Sequence, residues 1–539
     1  DIDSLEAFET WLVDRSELDA AVGQAKAELY VVTTCRTDDT DARDSFRDFL
    51  DNVEPIVRKL GFELDKKKAE LFARFPLDDF RYEVDRRDVI ADVELFREEN
   101  IAINTKLSKL DNKYDQICGA MTVQFEGEER TIPQMNKFLQ RSDRSVRESA
   151  WRKTTERRLD DRDAVSEIFD EMIVLREQVA KNAGYDRYTE FNFKTRHRFD
   201  YGVPESIAFH EAVEQVAVPF MSKLDARRQK NLGIDTLRPW DLGVDEHGRE
   251  PLSPFKTADE LVEKTRKLFD AMDPELSELF RELGNDMGGS FDLASRRGKA
   301  SGGYQYMRDK DRKPFIFMNA AGMQRDVDTM IHEAGHAFHS MLCRDEPLVQ
   351  YRHSPIEFAE VASMTMELLA MPHIDAFYEK PADADRARRQ QLEGSLAFFP
   401  WCATIDAFQH WVYDNPTHTR EERKAHWLEL DQRFGHAFDW SGLEDARATL
   451  WQRQGHLFGG PFYYIEYGIA QLGALGIWLI SLEKGPAEAL RLYKKGLSLG
   501  GSRPLPELFE AAGVPFDFSA EHMQRIREAV ETELAKLPE

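Results

Sequence analysis

The chain has 539 residues, with 73 Lys and Arg against 99 Asp and Glu, a formal charge of −26 at pH 7. A surface of that sign repels polyanions, which argues against nucleic acid and anionic membranes as partners. The length exceeds what one hydrophobic core supports, so at least two lobes are expected.

Helical periodicity dominates from the N-terminus onward, with apolar residues at threes and fours across 41–60, 88–115, 139–183, 256–284, 385–413 and 521–537. Strand signals are few. Met121–Phe125 and Arg130–Ile132 flank Glu126-Gly127-Glu128-Glu129 and predict a small hairpin. Residues 230–254, containing Leu237-Arg238-Pro239-Trp240-Asp241-Leu242, predict a long ordered loop. Gly302–Met307 and Pro314–Asn319 predict two short extended runs around a charged turn. The run 314–319 is expected to present a free edge on which an extended peptide could pair by strand addition. The longest apolar run, around 468–481, is interrupted by Gln471 and reads as too short to span a bilayer. Four scattered cysteines, Cys35, Cys118, Cys343 and Cys402, predict reduced thiols and a cytoplasmic location. The acidic start Asp1-Ile2-Asp3 is no signal peptide; without a methionine it reads as a trimmed end, which leaves a lost leader open.

Residues 332–336 read His-Glu-Ala-Gly-His. Four residues apart on a helix, His332 and His336 project from one face about 6 Å apart along the axis, so both rings can converge on one tetrahedral zinc ion. Glu333, rotated about 100° from the first histidine, misses the metal and can act on a water beside it. Val327, Met330, Ile331, Ala334, Phe338, Met341 and Leu342 predict that this helix is buried. Gly335 costs about 1 kcal/mol against alanine in a helix, which predicts a packing or access role there. A third ligand is needed, and the acidic segment Ile356–Ser363 offers Glu357 and Glu360, one turn apart. Spacing does not separate these two. Asp328 and Glu367 suit positions that orient a ligating imidazole through its second nitrogen.

Near the C-terminus stands His456-Leu457-Phe458-Gly459-Gly460-Pro461-Phe462-Tyr463-Tyr464-Ile465-Glu466-Tyr467. A histidine and two tyrosine hydroxyls could supply hydrogen-bond donors to a tetrahedral oxyanion.

Together these segments, with Pro400–Tyr413, resemble the oligoendopeptidase F branch of the thimet oligopeptidase and neurolysin family of zinc peptidases, from about residue 120 onward. The resemblance implies a mostly α, two-lobed helical ellipsoid with a deep substrate channel and one small sheet beside the zinc helix. It implies one zinc ion per chain on His332, His336 and Glu360, with Glu333 as general base. His456 matches the transition-state histidine. Tyr464 and Tyr467 keep the family's three-residue interval, with Tyr463 as a substitute. Gly302 and Gly303 would be a flexible approach for the peptide, beside Tyr304, Phe315, Ile316 and Phe317. An N-terminal helical region, 1–140, would precede a catalytic domain, 141–539. The expected activity is hydrolysis of internal bonds in short unstructured peptides. A zinc exopeptidase and a non-catalytic peptide-binding helical protein are the alternatives, and the oligomeric state is left open.

Overall fold

A computed structural model describes residues 2–284 and 289–538. Helices dominate, and seven of them bear on the site. Helix α1 (Leu5–Cys35) starts at Ser4, whose hydroxyl accepts from the Ala7 amide, satisfying one of the unpaired donors of the first turn. Strands β1 (Thr122–Phe125) and β2 (Glu128–Thr131) form the expected hairpin. Its turn places Glu126 and Gly127 at φ 51° and 81°, the double positive geometry that matches strand twist. Helices α2 (Arg162–Asn182) and α3 (Tyr188–Thr195) follow.

The second sheet has the order β3 (Phe291–Ala294), β5 (Lys313–Ala320), β4 (Tyr304–Arg308). Helix α4 (Gln324–Leu342) carries the HExxH residues, and α5 (Ile356–Ala370) packs along it. Helices α6 (Phe399–Asp414) and α7 (Tyr464–Lys484) complete the core around α5.

Several long periodic segments divide where the sequence changes character. The segment 139–183 breaks at Asp161, and 385–413 breaks at Phe398, just before Pro400 opens α6; proline is tolerated only in a helix's first turn. Residues 233–257 form the expected irregular stretch, with one 3-10 turn at Pro239–Asp241. There Arg144 and Arg147 donate to the buried Asp241 carboxylate.

Two expectations are corrected. Strand β5 is not an edge: β3 pairs with it in parallel on one side and β4 antiparallel on the other. The strand with a sheet neighbour on one side only, adjoining α4, is β4. Likewise α7 extends the apolar run at 468–481 to 21 residues, long and apolar enough to cross a membrane by length and composition. Its apolar window is 83% buried inside the protein, which makes it a core helix here.

Candidate metal centre

Helices α4 and α5 meet at Gly335, where a Cβ would stand 2.7 Å from the Ala362 carbonyl oxygen. Only glycine allows this approach, and the approach brings the candidate ligands together. His332 Nε2 and His336 Nε2 lie 3.3 Å and 3.6 Å from Glu360 Oε2, and the three ligating atoms fall within 4.8 Å of one another. Two imidazole nitrogens and one carboxylate oxygen form the donor set that a catalytic zinc takes, with a fourth position left for water. The second nitrogens are held as well. His332 Nδ1 donates to Glu367 Oε1 at 2.6 Å, whose other oxygen accepts from Gln391 at 2.7 Å. The Ala359 carbonyl faces the His336 ring and works against its discharge. Ser363 Oγ donates to Glu360 Oε2 at 2.8 Å. Such partners fix each ring's tautomer and aim.

Electrostatics follow from this packing. Burial alone would discharge His332, but Glu360 and Glu367 on either side outweigh it and raise its pKa well above the usual range. Burial lowers His336 to about 4. Glu360 is held down to about 2 because His336, His332 and the Ser363 hydroxyl outweigh its burial. A neutral imidazole and an ionised carboxylate are the forms that ligate metal.

Glu333 lies beside this cluster on α4. Burial raises its carboxyl to about 7, opposed by His332 and by the Gln305 backbone N–H of β4. Its Oε2 is buried without a hydrogen-bond partner among the described residues. An orphaned carboxylate oxygen in such a place is costly unless something else completes it, and a water on the metal's open position would do so. The donor set and this orphan both fit zinc.

The sequence-named residues separate into two groups. Asp328 does not orient His332; it accepts from Gln324 at 2.7 Å, and burial beside Glu367 pushes it to about 7. Glu357 turns away from the cluster to accept from the Tyr201 hydroxyl at 2.8 Å. Phe315, Ile316 and Phe317 are buried in the sheet, so their side chains are core and do not line a substrate surface. Tyr304 stacks on Phe317 and bonds Thr34 of α1 at 2.6 Å. Gly302 adopts φ 96° and Gly303 borders Glu333, so the approach along β4 passes the base.

His456, Tyr463, Tyr464 and Tyr467 do form one aromatic cluster, with ring centroids 5.0–5.9 Å apart around His456. Within it, the Tyr463 and Tyr467 rings meet edge to face at 5.3 Å, and both hydroxyls feel the charge of Glu360. Tyr464 instead faces Trp401 and Arg453.

Sequence reading missed what holds this loop. Phe462, fully buried, sits at φ 59°, a strained conformation for a bulky residue. Arg198 donates to its carbonyl and Arg196 to that of Pro461. Arg176 bonds the Leu457 and Phe458 carbonyls, and Gln409 accepts from the Phe462 amide. Two cavities lie at the starts of the two helices that carry the site. One of about 870 Å³ adjoins Gln324 and Asp328 at the start of α4, and one of about 440 Å³ reaches Glu357.

A helical protein with an HExxH helix, a carboxylate from the next helix and a buried glutamate beside them is, as a class, a metallopeptidase. The sequence profile of peptidase family M3 matches residues 137–528. The chain therefore belongs to peptidase family M3, and its relatives make it oligoendopeptidase F-like. It is 25% identical over 406 residues to an oligoendopeptidase F homolog of Mycoplasma pneumoniae, covering 71% of this chain and 64% of that protein. Against a second such homolog, from Borreliella burgdorferi, identity is 23% over 76% of this chain and 70% of the relative. The solved structure of PZ peptidase A with an inhibitor superposes with a TM-score of 0.84 at 27% identity, over 100% of this chain and 98% of that one.

Proposed function

We propose that this chain is a zinc-dependent oligoendopeptidase that hydrolyses internal bonds of short unstructured peptides. The observation that supports this most is the convergence of His332, His336 and Glu360 beside the unpartnered oxygen of Glu333. These three residues would hold the ion, one per chain. When bound, zinc supplies Lewis-acid polarisation of a carbonyl and lowers the pKa of water toward about 7.

The remaining roles belong to the protein's own groups. An extended peptide pairs along β4, the corrected edge strand, so that its scissile carbonyl faces Glu333 past Gly303. Backbone pairing holds the peptide without reading its side chains. Glu333 takes a proton from the attacking water and passes it to the departing amine. His456 and the Tyr463–Tyr467 pair donate hydrogen bonds to the tetrahedral oxygen. Tyr463 displaces Tyr464 in this role because its hydroxyl lies on the Glu360 side of the cluster. The arginine clamp on the loop keeps these donors placed before substrate arrives.

The test is cleavage of an internally quenched, end-blocked peptide of about ten residues, with chelator and zinc add-back. Internal cleavage abolished by chelation and restored by zinc is expected. Glu333→Gln should keep zinc and lose roughly 1,000-fold in rate, within the range that acid–base catalysis supplies. Cleavage confined to peptides with a free terminus would replace this reading with an exopeptidase.

A further inference from the structure

A hydrogen-bonded chain runs from α6 to the loop histidine. The Trp401 indole nitrogen lies 3.0 Å from Gln454 Oε1, and Gln454 Nε2 lies 2.6 Å from His456 Nδ1. An indole N–H can only donate. The amide atom facing it must therefore be the oxygen, which leaves the NH₂ end facing the imidazole. Turning the amide over would set donor against donor at Trp401. An amide NH₂ also only donates, so Nδ1 of His456 must accept and carry no proton. A neutral ring then has its single proton on Nε2, on the side away from Gln454.

The anchor of this chain is rigid. Trp401 packs edge-on against the fully buried Trp427 at 5.9 Å, and the Arg453 guanidinium lies over its ring, 4.6 Å from the centroid. The charged or titratable groups around His456 are Arg196 and the hydroxyls of Tyr463, Tyr464 and Tyr467. Burial first, then Arg196, lowers the ring's pKa, which favours the neutral form.

We propose that Trp401 and Gln454 are positioning residues that hold His456 in the Nε2–H tautomer, so that a hydrogen-bond donor is aimed at the reacting oxygen. This rests on the peptidase reading for its catalytic meaning, although the tautomer itself does not. Neither residue touches the substrate. Their contribution is to exclude the tautomer in which Nε2 becomes a lone pair facing an oxyanion, a repulsive arrangement in place of an attractive one.

The decisive variant is Gln454→Glu. A carboxylate only accepts, so a neutral His456 must turn its proton to Nδ1, and Nε2 regains a proton only when the ring is doubly protonated. The variant should be active at low pH and lose about 100-fold in kcat as pH rises through the pKa of the new pair, with KM unchanged. That is the loss expected for one oxyanion donor. The parent enzyme should show no such limb. Trp401→Phe, which frees the amide to turn over, should lower kcat severalfold without moving KM.

A second readout does not need activity. In metal-free protein labelled with ¹⁵N-histidine, the resonances absent from His456→Gln should show Nδ1 as pyridine-like and Nε2 as pyrrole-like. The reverse pattern, or a Gln454→Glu profile with the parent's shape, would overturn the proposal. Absence of any peptide cleavage by the parent protein would overturn the peptidase reading instead, while the spectrum still decides the tautomer.

Discussion

Replacing Gly335 with alanine should separate metal binding from folding stability. The added Cβ would meet the Ala362 carbonyl oxygen and the Ser363 Cα at 2.7 Å each. Both are backbone atoms, so relief requires α4 and α5 to part. Reaching an ordinary contact of about 3.4 Å takes a separation of about 0.7 Å. His336 follows Gly335 directly and Glu360 precedes Ala362 by two residues, so the displacement passes into the ligand set. Metal sites tolerate about 0.2 Å in ligand distance, and the shift is more than three times that. Overpacking costs about 1–3 kcal/mol, and alanine returns about 1 kcal/mol in helix propensity. Net stability therefore falls by at most about 2 kcal/mol, a few degrees in Tm for a chain of this size. Zinc affinity, measured by competition with a chromophoric chelator, should fall at least tenfold, as for loss of a supporting contact. A Gly335→Ala protein that binds zinc within threefold of the parent would refute the argument, because the helices would then have absorbed the methyl group elsewhere.

Three further outcomes are expected. Glu367→Ala removes the acceptor of His332 Nδ1 and should weaken zinc binding about 10–100-fold, read in the same competition. Tyr463→Phe should lower kcat about 100-fold, whereas Tyr464→Phe should stay within about fivefold; a reversed order would return the role to Tyr464. Burial raises Asp88 to about 6 from 3.8, so folding favours its protonated form. That stabilisation is complete below about pH 4 and is lost as pH rises through 6, a difference of up to about 3 kcal/mol. Asp88→Asn should thus melt higher than the parent at pH 8 and level with it at pH 4.

What was legible in the sequence follows locality. His332, Glu333 and His336 lie within five residues of one helix, so helical geometry alone relates them. Glu360 and Glu357 were inseparable by spacing because both occupy neighbouring turns of α5; the fold separates them through Tyr201, 156 residues distant from Glu357. The edge strand was misplaced because β3 is only four residues, Phe291–Ala294, too short to announce itself. A warning was nonetheless present. The continuous apolar run Phe315-Ile316-Phe317-Met318 is typical of a strand covered on both faces. Arg176, Arg196 and Arg198 could not be foreseen, since their partners lie more than 260 residues away. The alignment of Trp401 with Gln454, 53 residues apart, was hidden in the same way.

The burial of α7 has a bearing on how the molecule would fail. Its first turn carries Tyr464 and Tyr467, and its remainder packs against α5, which carries Glu360 and in turn rests on the histidine helix. The proposed ligands therefore stand on deeply shared helices, and the proposed donors His456 and Tyr463 sit on the loop that Arg176, Arg196 and Arg198 clamp to the core, not on a detachable lid. Local opening that spared the core could not dismantle the site. Loss of activity on heating and loss of helical structure should then be one cooperative event, with no inactive yet folded state between them.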